Sequence, residues 1–535
     1  MLNRYAPLLV TLFATLLLAA CSKKSSSAVD GTKTLHLGNG TEVQDLDPQV
    51  VTGVPENKVI NAIFEGLVIE GPTGTDTAPA VAERWETSAD GLQWTFYLRA
   101  EARWSNGDPV TAHDFLRSYQ RILTPSLAAE YAYKLHHVVG AEDYNTGKLT
   151  DFSQVGFKAL DDRTLLITLR HRMPFLLEAL KHYSWFPVHL PTVEKFAGLT
   201  RKGSRWTRTE NMVGNGAFVL SSWQPNQKII VTRSPTYWDR ANVKLDAIHY
   251  YPIESMETEE RMFRTGQLHK TNELPIAKID TYKRTYPTSY RQDIYYGTYF
   301  YRLNVTRPPL NDVRVRRALA LAIDRELLVA QVTRGGQAPA YHFIPATEEF
   351  TPQARLRGDL TEARRLLAAA GYPEGRGFPK IELLYNTSEN HRVIAEAIQQ
   401  MWRRHLGVNI GLRNEEWKVY LDSQDALNFD LCRAGWIADY TDPNTFADLW
   451  VTGGGNNDTG FSNADYDRLL RASMDAQTDE QRFAIYQQLE KILIDEMPVI
   501  PIYFYTRVYA ISPKVRHWVK NPLDNRAWKF IDLAE

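Results

Sequence analysis

A strand-like run, Phe429-Asp430-Leu431-Cys432-Arg433-Ala434-Gly435-Trp436, opens into the loop Ile437-Ala438-Asp439-Tyr440-Thr441-Asp442-Pro443. The stretch carries a permanent cation, Arg433, and a carboxylate, Asp439, around the end of a predicted strand. Where strands alternate with helices, ligands sit beyond the strand ends, so residues 433–439 are where binding chemistry is expected. The same residues also have plainer uses. Asp439 could cap the turn before Pro443, Arg433 could belong to a structural ion pair, and Trp417 and Trp436 could be core.

Catalytic signatures are missing. The chain has no His-Glu-x-x-His, no Gly-x-Ser-x-Gly and no Gly-x-x-x-x-Gly-Lys-Ser/Thr pattern. His136-His137 and the other histidines lack metal-ligand spacing, and Gly453-Gly454-Gly455-Asn456-Asn457 reads as a surface loop. With Lys+Arg 62 against Asp+Glu 63, there is no electrostatic footprint for nucleic acid. The expectation is a binding protein that catalyses nothing and needs no metal or cofactor.

The elements that must position such a site read as follows. Residues 93–98 and 164–169 alternate as strands, and Ser105-Asn106-Gly107-Asp108-Pro109 forms a turn before a helix over 112–123. After Asn311-Asp312, a plausible cap, Val315, Ala318, Leu319, Ala322, Ile323 and Leu327 recur at helical spacing. Helices over 362–370 and 390–405 alternate with strands over 381–385, 408–412 and 429–436, which predicts an α/β domain with a substantially parallel sheet. Length alone implies two or three domains.

At the start, Arg4 precedes an apolar run from Leu8 to Leu18 that is too short to span a membrane and reads as a secretory signal over 1–20. Leu18-Ala19-Ala20-Cys21 resembles a bacterial lipobox, so Cys21 is the expected site of acylation. Several acyl chains on one residue suffice for stable anchoring. Residues 21–32 form a Ser-rich tether. With Cys21 acylated, Cys432 has no partner and no internal disulfide forms. The expected location is the periplasm or cell surface, held to a membrane by lipid.

Motifs along nearly the whole chain resemble oligopeptide-binding proteins of the OppA type, solute-binding family 5 of ABC importers. They include Gly40-Thr41-Glu42-Val43-Gln44-Asp45-Leu46-Asp47-Pro48, Trp104-Ser105-Asn106-Gly107-Asp108-Pro109, Asn311-Asp312-Val313-Arg314, Arg433-Ala434-Gly435-Trp436 and Pro522-Leu523-Asp524-Asn525. The resemblance implies an α/β, two-lobed periplasmic-binding-protein fold of class II, with three domains and hinge closure over a ligand cleft. By analogy, lobe I comprises 33–64, 185–296 and 507–535, an inserted domain covers 65–184, and lobe II covers 297–506. The implied function is capture of short peptides, about two to five residues long, for delivery to membrane permease and ATPase subunits by a monomeric protein. Cell-wall peptides, a non-peptide ligand of the same fold, and a secreted peptide hydrolase are the alternatives.

The resemblance also assigns roles to individual residues. Asp439 matches the position whose carboxylate binds the peptide ammonium, a directional, charge-assisted contact. Thr52, Gly53 and Val54 on one lobe, and Gly435, Trp436 and Ile437 on the other, are expected to pair with the peptide as an added strand. Arg433 and His391 match positions that receive the C-terminal carboxylate. Tyr131, Asn272, Tyr295, Trp417 and Trp436 match pocket or cleft positions. Three departures stand out: Gly297 and Ile437 replace a family cysteine pair, Gln424 stands where basic character occurs, and Thr333 stands where a lysine can meet a carboxylate.

Overall fold

The computed structural model describes residues 32–196 and 198–534; the signal, Cys21 and all but the last residue of the tether lie outside the described residues. The chain opens with strand β1 (Thr34–Gly38), followed by helix α1 (Val54–Ile63), whose first turn carries Pro55. Next comes an antiparallel group: β2 (Ala82–Thr87), β3 (Gln93–Leu98), β4 (Phe157–Asp161) and β5 (Thr164–Thr168), ordered β2-β3-β5-β4. Helix α2 (Ala112–Leu123) contacts β4 and β5. It starts at a capping box in which Thr111 and Asp114 satisfy each other's backbone donors.

Strands β6 (Phe218–Gln224), β7 (Lys228–Arg233) and β8 (Ala247–Tyr251) complete a sheet with β1, in which β1 runs parallel to β8 and the other pairs are antiparallel. The chain then enters β9 (Tyr290–Leu303).

The remainder alternates. Helix α3 (Val313–Leu321) is capped by the Asp312 carboxylate, which accepts from the Arg314 N–H. Then follow α4 (Leu360–Ala369), β10 (Glu382–Asn386), α5 (Glu389–Leu406), β11 (Gly411–Glu415), α6 (Trp417–Asp425), β12 (Leu431–Ile437), α7 (Asp479–Glu496) and β13 (Val499–Ala510). Helix α5 begins at Ser388 and ends at Gly407, which takes the left-handed conformation at φ 71° that glycine adopts without strain.

These strands form one sheet in the order β13-β9-β12-β10-β11, with the short strand Ala338–Pro339 at the β13 edge. It is mixed, not substantially parallel. β10 runs parallel to β11 and β12, whereas β9 runs antiparallel to both β12 and β13. The reason is the return of the chain along β13, which pairs with β9 from Tyr290↔Ala510 to Arg302↔Val499.

The fold is α/β and two-lobed, of the class II periplasmic-binding-protein type. β9 and β13 run from one lobe into the other, and their register shifts between Ile294 and Thr298. Each lobe has its own anchoring interactions. Among the buried groups, Arg121 grips both oxygens of Asp47 at 3.1 and 2.6 Å, and Trp402 donates from Nε1 to the Leu319 carbonyl at 2.9 Å.

Candidate ligand-binding cleft

One cavity lies between the lobes, and it gathers every site residue expected from sequence except Asn272 and His391. Its floor on one side is the turn 52–54 leading into α1; on the other it is the end of β12.

β12 is the element that makes the site. Along residues 431–437 it pairs with β9, but β10 pairs with it only at Leu431 and Cys432. From Arg433 to Ile437 its second edge therefore has no strand partner among the described residues. Unpaired backbone donors and acceptors at such an edge favour an added strand. Gly435 is needed here because a Cβ would overlap the Tyr505 hydroxyl. Gly297 stands directly opposite Ile437 across the β9–β12 pair.

Arg433 projects into the cavity beneath an aromatic wall. Its Nη2 donates to the Tyr505 hydroxyl at 2.6 Å, its Nη1 to Asn386 Oδ1 at 3.3 Å, and its guanidinium lies 4.7 Å from the Tyr299 ring centre. Nε has no acceptor. This is a half-buried cation without a carboxylate partner among the described residues, an arrangement that suits an incoming anion.

His391 lies elsewhere, in a smaller neighbouring cavity with Thr333, Tyr503 and Tyr505. Its ring is 5.7 Å from that of Tyr299. Burial, then the nearby Arg433, lowers its pKa well below the usual imidazole value, so it is neutral at pH 7. Nδ1 is buried and unpartnered, and the residue sits in the first turn of α5, where the helix dipole favours anions.

Asn272 lines neither cavity. Its side-chain oxygen accepts from Lys58 Nζ at 2.7 Å and from Arg507 Nη2 at 3.2 Å, so it orients cations rather than facing a ligand. Lys58 does line the main cavity, and burial lowers its pKa to about 7.

Asp439 reaches the cavity, but not as an open carboxylate. Oδ2 accepts from Lys134 Nζ at 2.5 Å, and Oδ1 lies 3.3 Å from His182 Nε2. The Ser184 N–H donates to His182 Nδ1 at 3.3 Å, which leaves the hydrogen on Nε2, directed at Asp439. Burial acts to raise the Asp439 pKa; Lys134 and His182 overcome it and hold the group at about 2. The sequence supplies this carboxylate with a cation of its own from 305 residues away.

The aromatic residues fill the walls. Tyr131 points its hydroxyl toward the Thr52 carbonyl at 3.5 Å and stands edge-on to Trp436, with centroids 6.2 Å apart. Trp417 stacks on Tyr420 at 5.7 Å and lies against Gly53, where a Cβ would come within 3.2 Å of the indole. Tyr295 meets Tyr505 edge-on at 5.8 Å. Trp417 and Gly53 come from opposite sides of the cleft, so the lobes are closed upon each other.

His182, Lys58, Arg302 and Glu130 line the cleft, and Lys134 lies against Asp439 beside it; sequence reasoning missed all five. No local pattern distinguishes them from surface charge. Asn525, which lies within one of the recognised motifs, also lines the cavity.

Comparison with known proteins decides the family. Residues 76–458 match the family described as bacterial extracellular solute-binding proteins, family 5 Middle. The chain belongs to solute-binding protein family 5. Among its relatives, this family 5 protein is 38% identical to the periplasmic oligopeptide-binding protein OppA of Salmonella typhimurium, over 97% of this chain and 96% of that one. Its fold overlays on the murein tripeptide-binding protein MppA of Escherichia coli with TM-score 0.90, at 35% identity, covering 94% of this chain and 99% of that one. The unliganded open form of MppA overlays with TM-score 0.62, at 36% identity and 94% and 98% coverage. The difference agrees with the lobe contacts: this OppA-type protein is in a closed arrangement.

Proposed function

We propose that this protein captures short oligopeptides outside the cytoplasm, lays them along the open edge of β12, and hands them to the permease and ATPase subunits of an ABC importer. The observation that carries this reading is the edge of residues 433–437, which has no strand partner among the described residues, facing 52–54 across a cleft that also holds a guanidinium without a carboxylate. A peptide supplies what those groups lack: alternating amide donors and acceptors for the strand edge, and a carboxylate for Arg433.

Because the pairing is through backbone, it does not depend on side-chain identity. Arg433 in one cavity and His391 in the next give two places for a C-terminal carboxylate, which suits ligands of different length. The hinge of this reading lies where β9 and β13 shift register near Ile294, close to the lobe borders at 296/297 and 506/507. Acylated Cys21 tethers the monomeric protein to a membrane, and no step of the cycle requires catalysis, a metal or a cofactor. The names of its relatives, an oligopeptide-binding protein and a murein tripeptide-binding protein, support peptide as the ligand class.

The reading is tested by calorimetric titration with mixed-sequence libraries of two, three, four and five residues. Heat of binding that depends on length and an affinity that weakens on C-terminal amidation support it. Binding of haem or an oligosaccharide with no response to any library removes it, and peptide cleavage during the titration would reassign the protein to the hydrolases.

A further inference from the structure

The amino end of the cleft contains a lysine that the proposed peptide-binding reading does not use. Lys134 sits on the short turn Ala132–Leu135 of the region 65–184, whereas Asp439 follows β12 in the opposite lobe. Their 2.5 Å ion pair therefore spans the two lobes, and both side chains are almost wholly buried, 2% and 8% exposed.

The lysine is held in place by more than that contact. The rings of Tyr131, Tyr133, Trp436 and Tyr440 surround its ammonium with centroids 5.1 to 5.9 Å away, a cage that favours a cation by its ring faces. Next to it, Phe175 and Tyr440 stack across the same lobe boundary at 4.8 Å. Lys134 is not itself among the residues lining the cavity, but it contacts Asp439, which is.

The charge balance at this end of the cleft follows. A lone buried carboxylate facing a peptide cleft would demand a cationic partner from the ligand. Here that demand is met from within the protein, and the remaining oxygen faces the His182 N–H. A free α-ammonium entering beside Asp439 would feel an attraction already offset by the Lys134 charge 2.5 Å from that carboxylate. It would lose its hydration for little net electrostatic return. An amide at the same place has no such penalty, since it carries no charge to desolvate.

We propose that Lys134 is a specificity determinant that makes this cleft indifferent to the charge of the peptide's amino end, so that N-acylated and otherwise amine-blocked peptides are ligands on a par with free ones. Lys134 does so as a resident counter-charge: its ion pair with Asp439 across the lobes supplies the cation that a ligand ammonium would otherwise have to bring. The inference rests on the peptide reading above and narrows its ligand class.

The test is competition binding of two tetrapeptide libraries of mixed sequence, one with free amines and one N-acetylated, to the protein and to Lys134→Gln. For the protein itself the two libraries should agree within about three-fold, well under the tenfold that 1.4 kcal/mol represents. In Lys134→Gln, Asp439 regains its demand for a cation, and the free-amine library should become tighter than the acetylated one by about ten-fold or more. A preference of about thirty-fold or more for free amines in the unaltered protein overturns the inference while leaving the peptide reading intact. Failure of both libraries to bind the unaltered protein overturns both. If Lys134→Gln does not fold, the ratio measured on the unaltered protein still decides the matter.

Discussion

Arg433 and Tyr505 are joined by a 2.6 Å hydrogen bond from guanidinium to phenol, and that neutral hydroxyl stands where a half-buried arginine ordinarily has a carboxylate. The guanidinium is thus desolvated and electrostatically unmatched in the closed cleft. Replacement by methionine keeps the volume and removes the unmatched charge. Arg433→Met should weaken peptides with free C-terminal carboxylates by about 2–5 kcal/mol, roughly thirty-fold to several thousand-fold, and leave C-amidated peptides unaffected. Paired calorimetric titrations of both peptide forms check this, and thermal melting should show no loss of stability.

Asp439→Asn has a consequence that residue type alone does not suggest. In the structure the change strands the buried Lys134 ammonium without its ion-pair partner. The closed protein should lose about 3–5 kcal/mol, as for other broken buried pairs. Lys134→Met combined with Asp439→Asn should recover much of that loss. Denaturant unfolding of the two single variants and the double variant measures the coupling.

Gly435→Ala tests the strand edge. The added methyl group meets the Tyr505 hydroxyl and forces that ring, with its bond to Arg433, out of place. Peptide affinity should fall by about ten-fold or more, because an ordered edge and the carboxylate site are disturbed together. The melting temperature should change little, since Gly435 itself is exposed.

Acidification should loosen the amino end. The Asp439 pKa is about 2 in the folded protein and 3.8 in the free residue, so its contribution is complete above about pH 4 and lost as pH falls toward 2. Burial lowers the His182 pKa despite its contact with Asp439. Unfolding free energy measured from pH 5 to 2 should therefore fall more steeply for the natural protein than for Lys134→Met, in which burial without a lysine raises the Asp439 pKa.

Much of this was readable from the residues. The strands 93–98 and 164–168 and helices α2 and α5 follow directly from alternation, helical spacing and their caps, and Arg433, Gly435, Trp436 and Asp439 line the cleft as expected. The strand predicted over 408–412 lies at Gly411–Glu415 instead, because Val408 and Ile410 are spent on the core before the strand begins. The antiparallel half of the main sheet escaped notice because β9 is buried on both faces over most of its second half and shows no alternation there. Lys134 could not be found from sequence at all. Nothing in Tyr131-Ala132-Tyr133-Lys134 marks a buried cation, and its partner is brought to it only by closure of the lobes.

The most direct test of the central claim is native mass spectrometry of the protein purified without its first 21 residues, followed by denaturation to release whatever was bound. The account predicts a ladder of co-purified peptides, about two to five residues long, with amine-blocked members among them. A single non-peptide species, or an empty protein that ignores an added peptide library, would contradict it.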